Sequence, residues 1–228
     1  NISAMLQQKS LDFLSQVRDH NDREWFDTNR KWYETTKKDV EQLVNQLLGG
    51  LSEIDGSLIG LEAKSVMFRI FKDVRFSKDK SPYKTNLGAW MAGGGKNSMQ
   101  AGFYLHIEPG GKSFLAGGSY MPPANVLKAI REAIDDDHEG LREILGKPSF
   151  VKACGQLEGE TLRSAPKGYD KDHPAIDLLR HKSLVVSHKI SDDELVSPKF
   201  VNNALLVYKE MQPLLVFLNR AIAEAKPA

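Results

Sequence analysis

Hydrophobic residues recur at helical spacing in the N-terminal part of the chain and predict two helices there. The first stripe consists of Leu6, Phe13, Leu14 and Val17. The second consists of Trp25, Phe26, Trp32, Tyr33, Val40, Leu43, Val44, Leu47 and Leu48. Between them, Asn21 and Glu24 have the spacing of a capping box. Gly49-Gly50 predicts the end of the second helix, with Leu51 as a short extension.

The hydrophobic period shortens to two in the middle of the chain, which indicates β-strands. The predicted strands span 66–76, 87–91, 102–107 and 113–116. Glycine-rich turns separate them, and Pro109-Gly110-Gly111 is short enough for a hairpin loop. Sequential short strands with tight connections favour an antiparallel sheet.

Helical spacing returns in the C-terminal part of the chain. The predicted helices cover 124–136, 173–180 and 198–225, with shorter elements at 141–145 and 150–154. Residues 184–186 predict one more strand, and we expect Pro213 to kink or split the last helix.

These elements predict an α+β fold in a single domain, residues 1–228. An antiparallel sheet of about four to six strands, from residues 66–120 and 184–188, is covered by N-terminal and C-terminal helices. The parts of this domain are helical at 5–55, sheet-rich at 64–120 and mainly helical at 123–226.

The composition is that of a globular protein, since 41% of the 228 residues are hydrophobic and 27% are charged. A formal net charge of +1 gives no global attraction to nucleic acid or a membrane, so any basic site must be local. The lone Cys154 indicates a reducing compartment. No signal-peptide pattern or apolar run of ~18–20 residues is present. These features predict a cytoplasmic protein without membrane contact, and they leave its oligomeric state open.

A dense basic patch lies in residues 64–84, where seven basic residues accompany two acidic ones. On a strand at 66–76, alternate residues share a face, so Arg69, Asp73 and Arg75 are expected to point the same way over an apolar back. Such a face suits an anion, with Asp73 orienting one guanidinium.

The loop after this predicted strand is stiffened by Pro82 and adds further polar groups. We therefore expect a small anionic ligand, phosphorylated or carboxylated, to bind here. The residues predicted to bind it are Arg69, Arg75, Lys80, Tyr83, Lys84, Tyr104, Arg180 and Lys182.

Three other functions remain open at this point. An enzyme acting on a phosphorylated or nucleotide substrate would use Asp73 or His173 as its catalytic acid or base. A nucleic-acid-binding module would present an extended basic stripe and bind with a steep salt dependence. A structural or interaction protein would pair the charged residues internally as an ion-pair network.

Three further features carry weaker signals. His173, Asp177 and His181 are four residues apart, as metal ligands on a helix can be, but no other His or Cys cluster accompanies them, so we expect no metal. No phosphate-binding or dinucleotide-binding glycine motif is present, and we expect no cofactor. Cys154 follows apolar residues and is expected to be buried and structural.

The pattern Arg69-x-x-Lys72-Asp73-x-Arg75-Phe76, followed by Asp79-Lys80-x-x-Tyr83, resembles the signature of the bacterial domain of unknown function 2461 (DUF2461). The resemblance extends over nearly the whole chain, through Trp25-Phe26, Tyr33, Gly102-Phe103-Tyr104, Gly118-x-Tyr120-x-Pro122, Asp172-His173-Pro174 and Leu178-Leu179-Arg180-x-Lys182. Lys72 stands where the family pattern usually has arginine, which weakens bidentate pairing. The resemblance implies a bacterial protein with a polar signature site, and it supplies no established activity.

Overall fold

The computed structural model describes residues 5–226, and its N-terminal helices follow the predicted apolar stripes. α1 spans Gln8–Asp19, α2 spans Arg23–Thr28 and α3 spans Arg30–Leu51. α1 and α3 pack against each other, and both bury leucine and valine side chains along one face. This burial, more than intrinsic propensity, stabilises the two helices.

The predicted second helix is two helices, and the predicted capping box is wrong. α2 ends at Asn29, whose side-chain amide donates to the carbonyl oxygen of Trp25 at 2.9 Å. Asp22 caps α2, because its carboxylate accepts the Trp25 N–H at 2.8 Å. Asn21 instead forms two hydrogen bonds with the backbone of Tyr83.

Gly49-Gly50 does not end α3, which continues to Leu51 as the sequence allowed. A Cβ atom on Gly50 would clash with the side chain of Leu205. Glycine at this position therefore gives the Leu205 side chain room to pack closely, and the pair is not a helix stop.

The sheet confirms the α+β prediction. Its strands are β1 (Leu87–Met91), β2 (Gly102–Ile107), β3 (Ser113–Ser119) and β4 (Leu184–Ile190), antiparallel in the order β1-β2-β3-β4. Between β2 and β3, Gly110 and Gly111 have φ values of 85° and 71°, which glycine adopts most readily. Asp192 accepts both of their N–H groups, at 2.8 and 3.0 Å, and so fixes the predicted hairpin loop.

Side chains of β2 alternate between two environments. Phe103, Leu105 and Ile107 are buried, whereas Tyr104 and His106 are half-buried on the opposite side. We call that side the open face. Its members in the first three strands are Gly88, Trp90, Tyr104, His106 and Phe114.

The predicted strand at 66–76 is wrong. Its first residue ends a short helix, α4 (Ala63–Val66), and the rest forms only isolated bridges. The expected alternation is also absent, because the adjacent residues Val66 and Met67 are both buried whereas Phe76 is 95% exposed. The charged side chains therefore do not share one strand face.

The segment after α4 forms an irregular antiparallel ribbon with the chain that leads into β1. Its bridges join Met67 to Ala89 and Phe71 to Tyr83. Between these bridges, the three residues 68–70 lie opposite the five residues 84–88. This bulge shifts the pairing and removes the period of two.

The C-terminal part is mainly helical. Its helices are α5 (Ala124–Asp136), α6 (His138–Gly146), α7 (Pro148–Cys154), α8 (Ile176–Leu179), α9 (Asp192–Leu195) and α10 (Phe200–Ala223). Pro213 does not split α10, because the buried side chains of Met211, Leu214 and Leu218 offset the roughly 3 kcal/mol that an interior proline costs.

The described residues divide into two compact units. The first comprises residues 5–96, 104–115 and 189–206, and the second comprises residues 97–103, 116–188 and 207–226. The single domain expected for residues 1–228 stays a prediction. Across residues 5–226, no helix combines the length and the apolar character needed to cross a membrane.

Candidate functional site

The charged loop, residues 73–81, forms ion pairs and hydrogen bonds largely with itself and its immediate flanks. The contacts are Arg75 with Asp73 (2.6 Å), Lys72 with Asp79 (2.7 Å) and Lys80 with the carbonyl oxygen of Val74 (2.9 Å). All three contacts lie at the solvent-exposed surface, where water and salt weaken them. Two of the predicted cations, Arg75 and Lys80, thus already have partners close in sequence, and so does Lys72.

Asp73 is held ionised by its neighbour. Hydrogen bonds from the Arg75 side chain and then from its backbone N–H lower the pKa of the Asp73 carboxyl. A lower pKa weakens a carboxylate as a base. The predicted catalytic Asp73 therefore lies in an exposed ion pair that does not suit it for proton abstraction.

Arg69 and Lys84 lie together on the ribbon, and we call them the cationic pair. Across residues 5–226, neither has an Asp or Glu oxygen within the 4.0 Å of a salt bridge. The Lys84 ammonium lies 5.7 Å from the centre of the Phe68 ring. Burial, and then the charge of Arg69, lower the pKa of Lys84. The surroundings thus disfavour the charged form of Lys84 unless an anion is added.

Tyr83 anchors the ribbon to α2. Its ring is 4% exposed and stacks on Phe26, with ring centroids 3.9 Å apart and planes 11° apart. Its N–H donates to Asn21 and its carbonyl oxygen accepts from the same side chain, both at 3.0 Å. Burial, and then the Asp27 carboxylate, raise the pKa of Tyr83. This packing makes Tyr83 a structural anchor.

A second set of polar groups, which we call the polar row, lies on the open face of the sheet. The hydroxyl of Tyr104 lies 3.1 Å from Nδ1 of His106, and Nε2 of His106 lies 3.0 Å from Oε2 of Glu108. The three residues follow one another at a spacing of two, so they share a side of β2 and its continuation. Sequence reasoning named only Tyr104, although the spacing of two in a correctly bounded strand was a usable signal for the others.

Aromatic rings border the polar row. The ring centroid of Trp90 lies 6.4 Å from that of Tyr104, and Phe114 stacks on His106 at 4.6 Å with an interplanar angle of 15°. These side chains are half-buried. A Cβ atom on Gly88 would lie 2.5 Å from the Tyr104 hydroxyl oxygen. Glycine at this position therefore leaves the space that the hydroxyl occupies.

Glu108 fixes the proton positions in the row. Burial acts to raise the pKa of Glu108, but the hydrogen bond and charge of His106, followed by Lys112 and Thr85, outweigh burial and leave the pKa lowered. Lys112 and the Thr85 hydroxyl both contact Oε1, at 3.5 and 3.3 Å. An ionised carboxylate only accepts, so Nε2 of His106 carries a proton. In neutral His106, Nδ1 then accepts the hydroxyl proton of Tyr104.

The ribbon and the polar row meet on the open face of the first unit. The Phe68 N–H donates to the Gly88 carbonyl oxygen at 2.9 Å. Opposite residues of an antiparallel pair project to the same side, so Phe68 shares the face on which Gly88 adjoins Tyr104. Lys84 stands over Phe68, and Thr85, the next residue, bonds to the end of the polar row. Lys84, the aromatic rings and the polar row thus border one region.

The predicted catalytic His173 lies in the second unit and has partners on both ring nitrogens. The N–H of Ala175 donates to Nδ1 at 3.0 Å, and Nε2 lies 2.7 Å from Asp135. Because Nδ1 accepts, Nε2 carries the proton and donates to the carboxylate. The imidazole therefore links the side chain of Asp135 in α5 to the backbone at Ala175. Its catalytic role stays a prediction.

Arg180 and Lys182 also lie in the second unit. Lys182 pairs with Glu160 at 2.7 Å. Within the described part of the chain, Nε of Arg180 is buried without a hydrogen-bond partner. Their predicted contribution to the anion site stays a prediction.

Asp177 is the middle residue of the series His173, Asp177 and His181, whose spacing resembles that of metal ligands. Its carboxylate accepts two hydrogen bonds from the Arg142 guanidinium, at 2.8 and 3.1 Å. The structure shows no group of three or more His, Cys, Asp or Glu side chains placed to hold a metal ion among residues 5–226. Cys154 is buried as predicted, and burial, with the nearby Glu210 carboxylate, raises the pKa of its thiol to about 12. Such a thiol is unreactive at neutral pH.

Comparison with known proteins identifies a family for this chain. No curated protein and no solved structure matches the chain. The family profile described as "Conserved hypothetical protein (DUF2461)" matches residues 9–217 and so includes the ribbon, the charged loop and the polar row. The chain therefore belongs to the DUF2461 family.

Proposed function

We propose that this protein binds a small anionic ligand, phosphorylated or carboxylated, at the cationic pair formed by Arg69 and Lys84. The proposal rests on one observation: a half-buried ammonium lies beside a second cation, with no carboxylate at salt-bridge distance among residues 5–226. Two like charges at one site raise each other's free energy, and a bound anion reverses that effect.

The proposed site is smaller than the set of residues predicted from the sequence. Arg75 and Lys80 have partners in the charged loop, and Tyr83 is buried. Tyr104 stays in the site because it lies on the open face beside Phe68 and Gly88. The single buried Cys154 supports a reducing compartment such as the cytoplasm.

The alternatives fit this arrangement less well. A nucleic-acid surface needs a row of cations available to successive phosphates, and the charged loop commits Lys72, Arg75 and Lys80 to partners of its own. An internal ion-pair network describes that loop, and the charge of Arg69 also acts on Asp73, but the network leaves Lys84 unexplained. The enzyme alternative is supported by the polar row rather than by Asp73 or His173.

The binding proposal is tested by thermal unfolding with inorganic phosphate, phenyl phosphate and benzoate as probes. A ligand present at 100 times its Kd adds about 2.7 kcal/mol to the free energy of unfolding. For a chain of this size that corresponds to a Tm increase of roughly 5–10 °C. We expect at least one probe to give such an increase, and Arg69→Met and Lys84→Met to lose most of it.

Matched controls lie in the charged loop. Arg75→Met and Lys80→Met remove the same charges with the same replacement and should keep the full Tm increase. An equal response in all four variants would overturn the site, and a loss confined to the loop variants would move it to the loop. Tight binding of a polynucleotide that collapses between 50 and 200 mM salt would favour the nucleic-acid alternative.

A further inference from the structure

The polar row is built as an ordered chain of hydrogen bonds with one end on the open face. Tyr104, His106 and Glu108 are linked by contacts of 3.1 and 3.0 Å. At the far end, Lys112 and Thr85 hold the Glu108 carboxylate, and Phe114 stacks on the imidazole. At the near end, Gly88 leaves room for the Tyr104 hydroxyl. This is the arrangement of a nucleophile or base, a central histidine and an orienting carboxylate.

We propose that Tyr104, His106 and Glu108 form a proton-transfer relay, which abstracts a proton from an anionic ligand bound on the open face. Tyr104 is the group that touches the ligand. His106 stores the proton, and Glu108 is a positioning residue that also stabilises the imidazolium. A strand gives the three side chains a fixed order and spacing, which a proton relay requires.

The transfer is balanced without any further reactant. A C–H bond of the ligand breaks, and its proton moves to the Tyr104 oxygen while the hydroxyl proton of Tyr104 moves to Nδ1 of His106. The electron pair of the broken bond forms a carbon–carbon double bond, and the adjacent carbonyl oxygen becomes an enolate. His106 becomes an imidazolium beside the Glu108 carboxylate. The proton held on His106 exchanges with solvent, and return of a solvent-derived proton or deuteron by the same path regenerates the ligand.

The surroundings of the relay indicate the class of substrate. Trp90, Phe68 and Phe114 offer ring surfaces for a planar group. The cationic pair suits a carboxylate or phosphate and lies near enough to the Phe68 ring to favour a compact molecule. These surroundings suit an aromatic anion. The proposed proton abstraction further requires a C–H that an adjacent carbonyl makes acidic. This assignment of substrate rests on the proposed function, whereas the relay rests on its own hydrogen bonds.

Phenylpyruvate has all three features and serves as the probe. Exchange of its C3 protons in D2O, followed by proton NMR, measures proton abstraction directly. We expect wild-type protein to accelerate exchange about 100-fold over buffer, which is a typical contribution of acid–base catalysis. Tyr104→Phe and His106→Gln should each lower this rate at least tenfold, and His106→Gln should keep the Tm increase with phenylpyruvate because His106 does not touch the ligand. Lys80→Met should change neither quantity.

Different failures have different meanings. A Tm increase with phenylpyruvate but no acceleration would overturn the relay and leave the anion site in place. Acceleration that persists in Tyr104→Phe would also overturn the relay. A lack of any Tm change with phenylpyruvate, phenyl phosphate and inorganic phosphate would overturn the proposed function and the substrate class.

The relay is also tested without a ligand. Nitrogen-15 NMR of the folded protein reports which nitrogen of neutral His106 carries the proton. We expect the proton on Nε2. We also expect Tyr104→Phe and Gly88→Ala to shift the Nδ1 resonance, because the first removes and the second displaces the hydroxyl that donates a hydrogen bond to Nδ1. A proton on Nδ1, or an Nδ1 resonance unchanged in both variants, would overturn the relay.

Discussion

The charged loop and the polar row compensate their charges in opposite ways. In the loop, Arg75 pairs with Asp73 two residues away, and the two side chains remain 76% and 47% exposed. In the row, His106 and Glu108 are only 14% and 19% exposed, and Thr85 joins them from 23 residues away in the chain. Salt and water screen the first kind of pair far more than the second.

The difference teaches where a polar site forms in this protein. The loop belongs to a segment dense in basic residues, yet its charges largely cancel locally and its Phe76 is 95% exposed. The polar row carries fewer charges, but a buried apolar side of β2 holds it in place. Preorganised groups in a partly dry environment interact more strongly, so support from the core marks a site better than charge density does.

The largest expected effect comes from the residue that fixes the ribbon beside the polar row. Tyr83→Ala removes a buried ring stacked on Phe26 and should lower the free energy of unfolding by about 3–5 kcal/mol. Urea unfolding at pH 7 measures the change. Phe76→Ala is the matched control, because it also truncates an aromatic side chain of this segment, and it should leave stability nearly unchanged. Equal losses in the two variants would show that the loop is as ordered as its anchor.

A smaller effect is expected at the supported end of the polar row. Glu108→Gln removes a charge that His106 and Lys112 contact and should cost about 1–3 kcal/mol at pH 7. The pKa of Glu108 is lowered from its ordinary value of 4.5, so the folded chain binds fewer protons near this pH than the unfolded chain does. The ionised Glu108 carboxylate therefore contributes fully to the free energy of unfolding above pH 4.5. This contribution is lost as the pH falls through the lower pKa of Glu108 in the folded chain.

We expect the difference in urea midpoint between wild type and Glu108→Gln to be largest at pH 6–7 and to disappear below pH 4. Urea unfolding measured across this pH range reports the difference. Glu132→Gln is the control, because Glu132 is exposed and only reaches Lys128 at 3.7 Å. A gap that stays constant down to pH 3 would mean that the Glu108 carboxylate has no special stabilisation in the folded protein.

Sequence periodicity predicted the elements whose pattern is local. The bounds of β1, β2 and α5 match the predictions, since each has an uninterrupted apolar face. The regular strand predicted at 66–76 was wrong because residues 68–70 lie in a bulge opposite residues 84–88. A local pattern of hydrophobic residues does not record such pairing. The same holds for the site. Lys80 and Lys84 are alike in sequence, and only tertiary contacts assign one to a carbonyl oxygen and leave the other beside Arg69.

The smallest expected effect is that of Asp73→Asn in the charged loop. The Asp73–Arg75 pair is exposed, so we expect the Tm at pH 7 to stay within about 2 °C of wild type, and any difference to vanish in 0.5 M salt. Because Arg75 lowers the pKa of Asp73, the small contribution of this carboxylate is present above its ordinary value of 3.8 and fades below it. The Tm increase with phenyl phosphate should be unchanged, and so should proton exchange with phenylpyruvate. A variant that folds normally but loses exchange would return the catalytic role to the loop, since the polar row would then be intact and inactive.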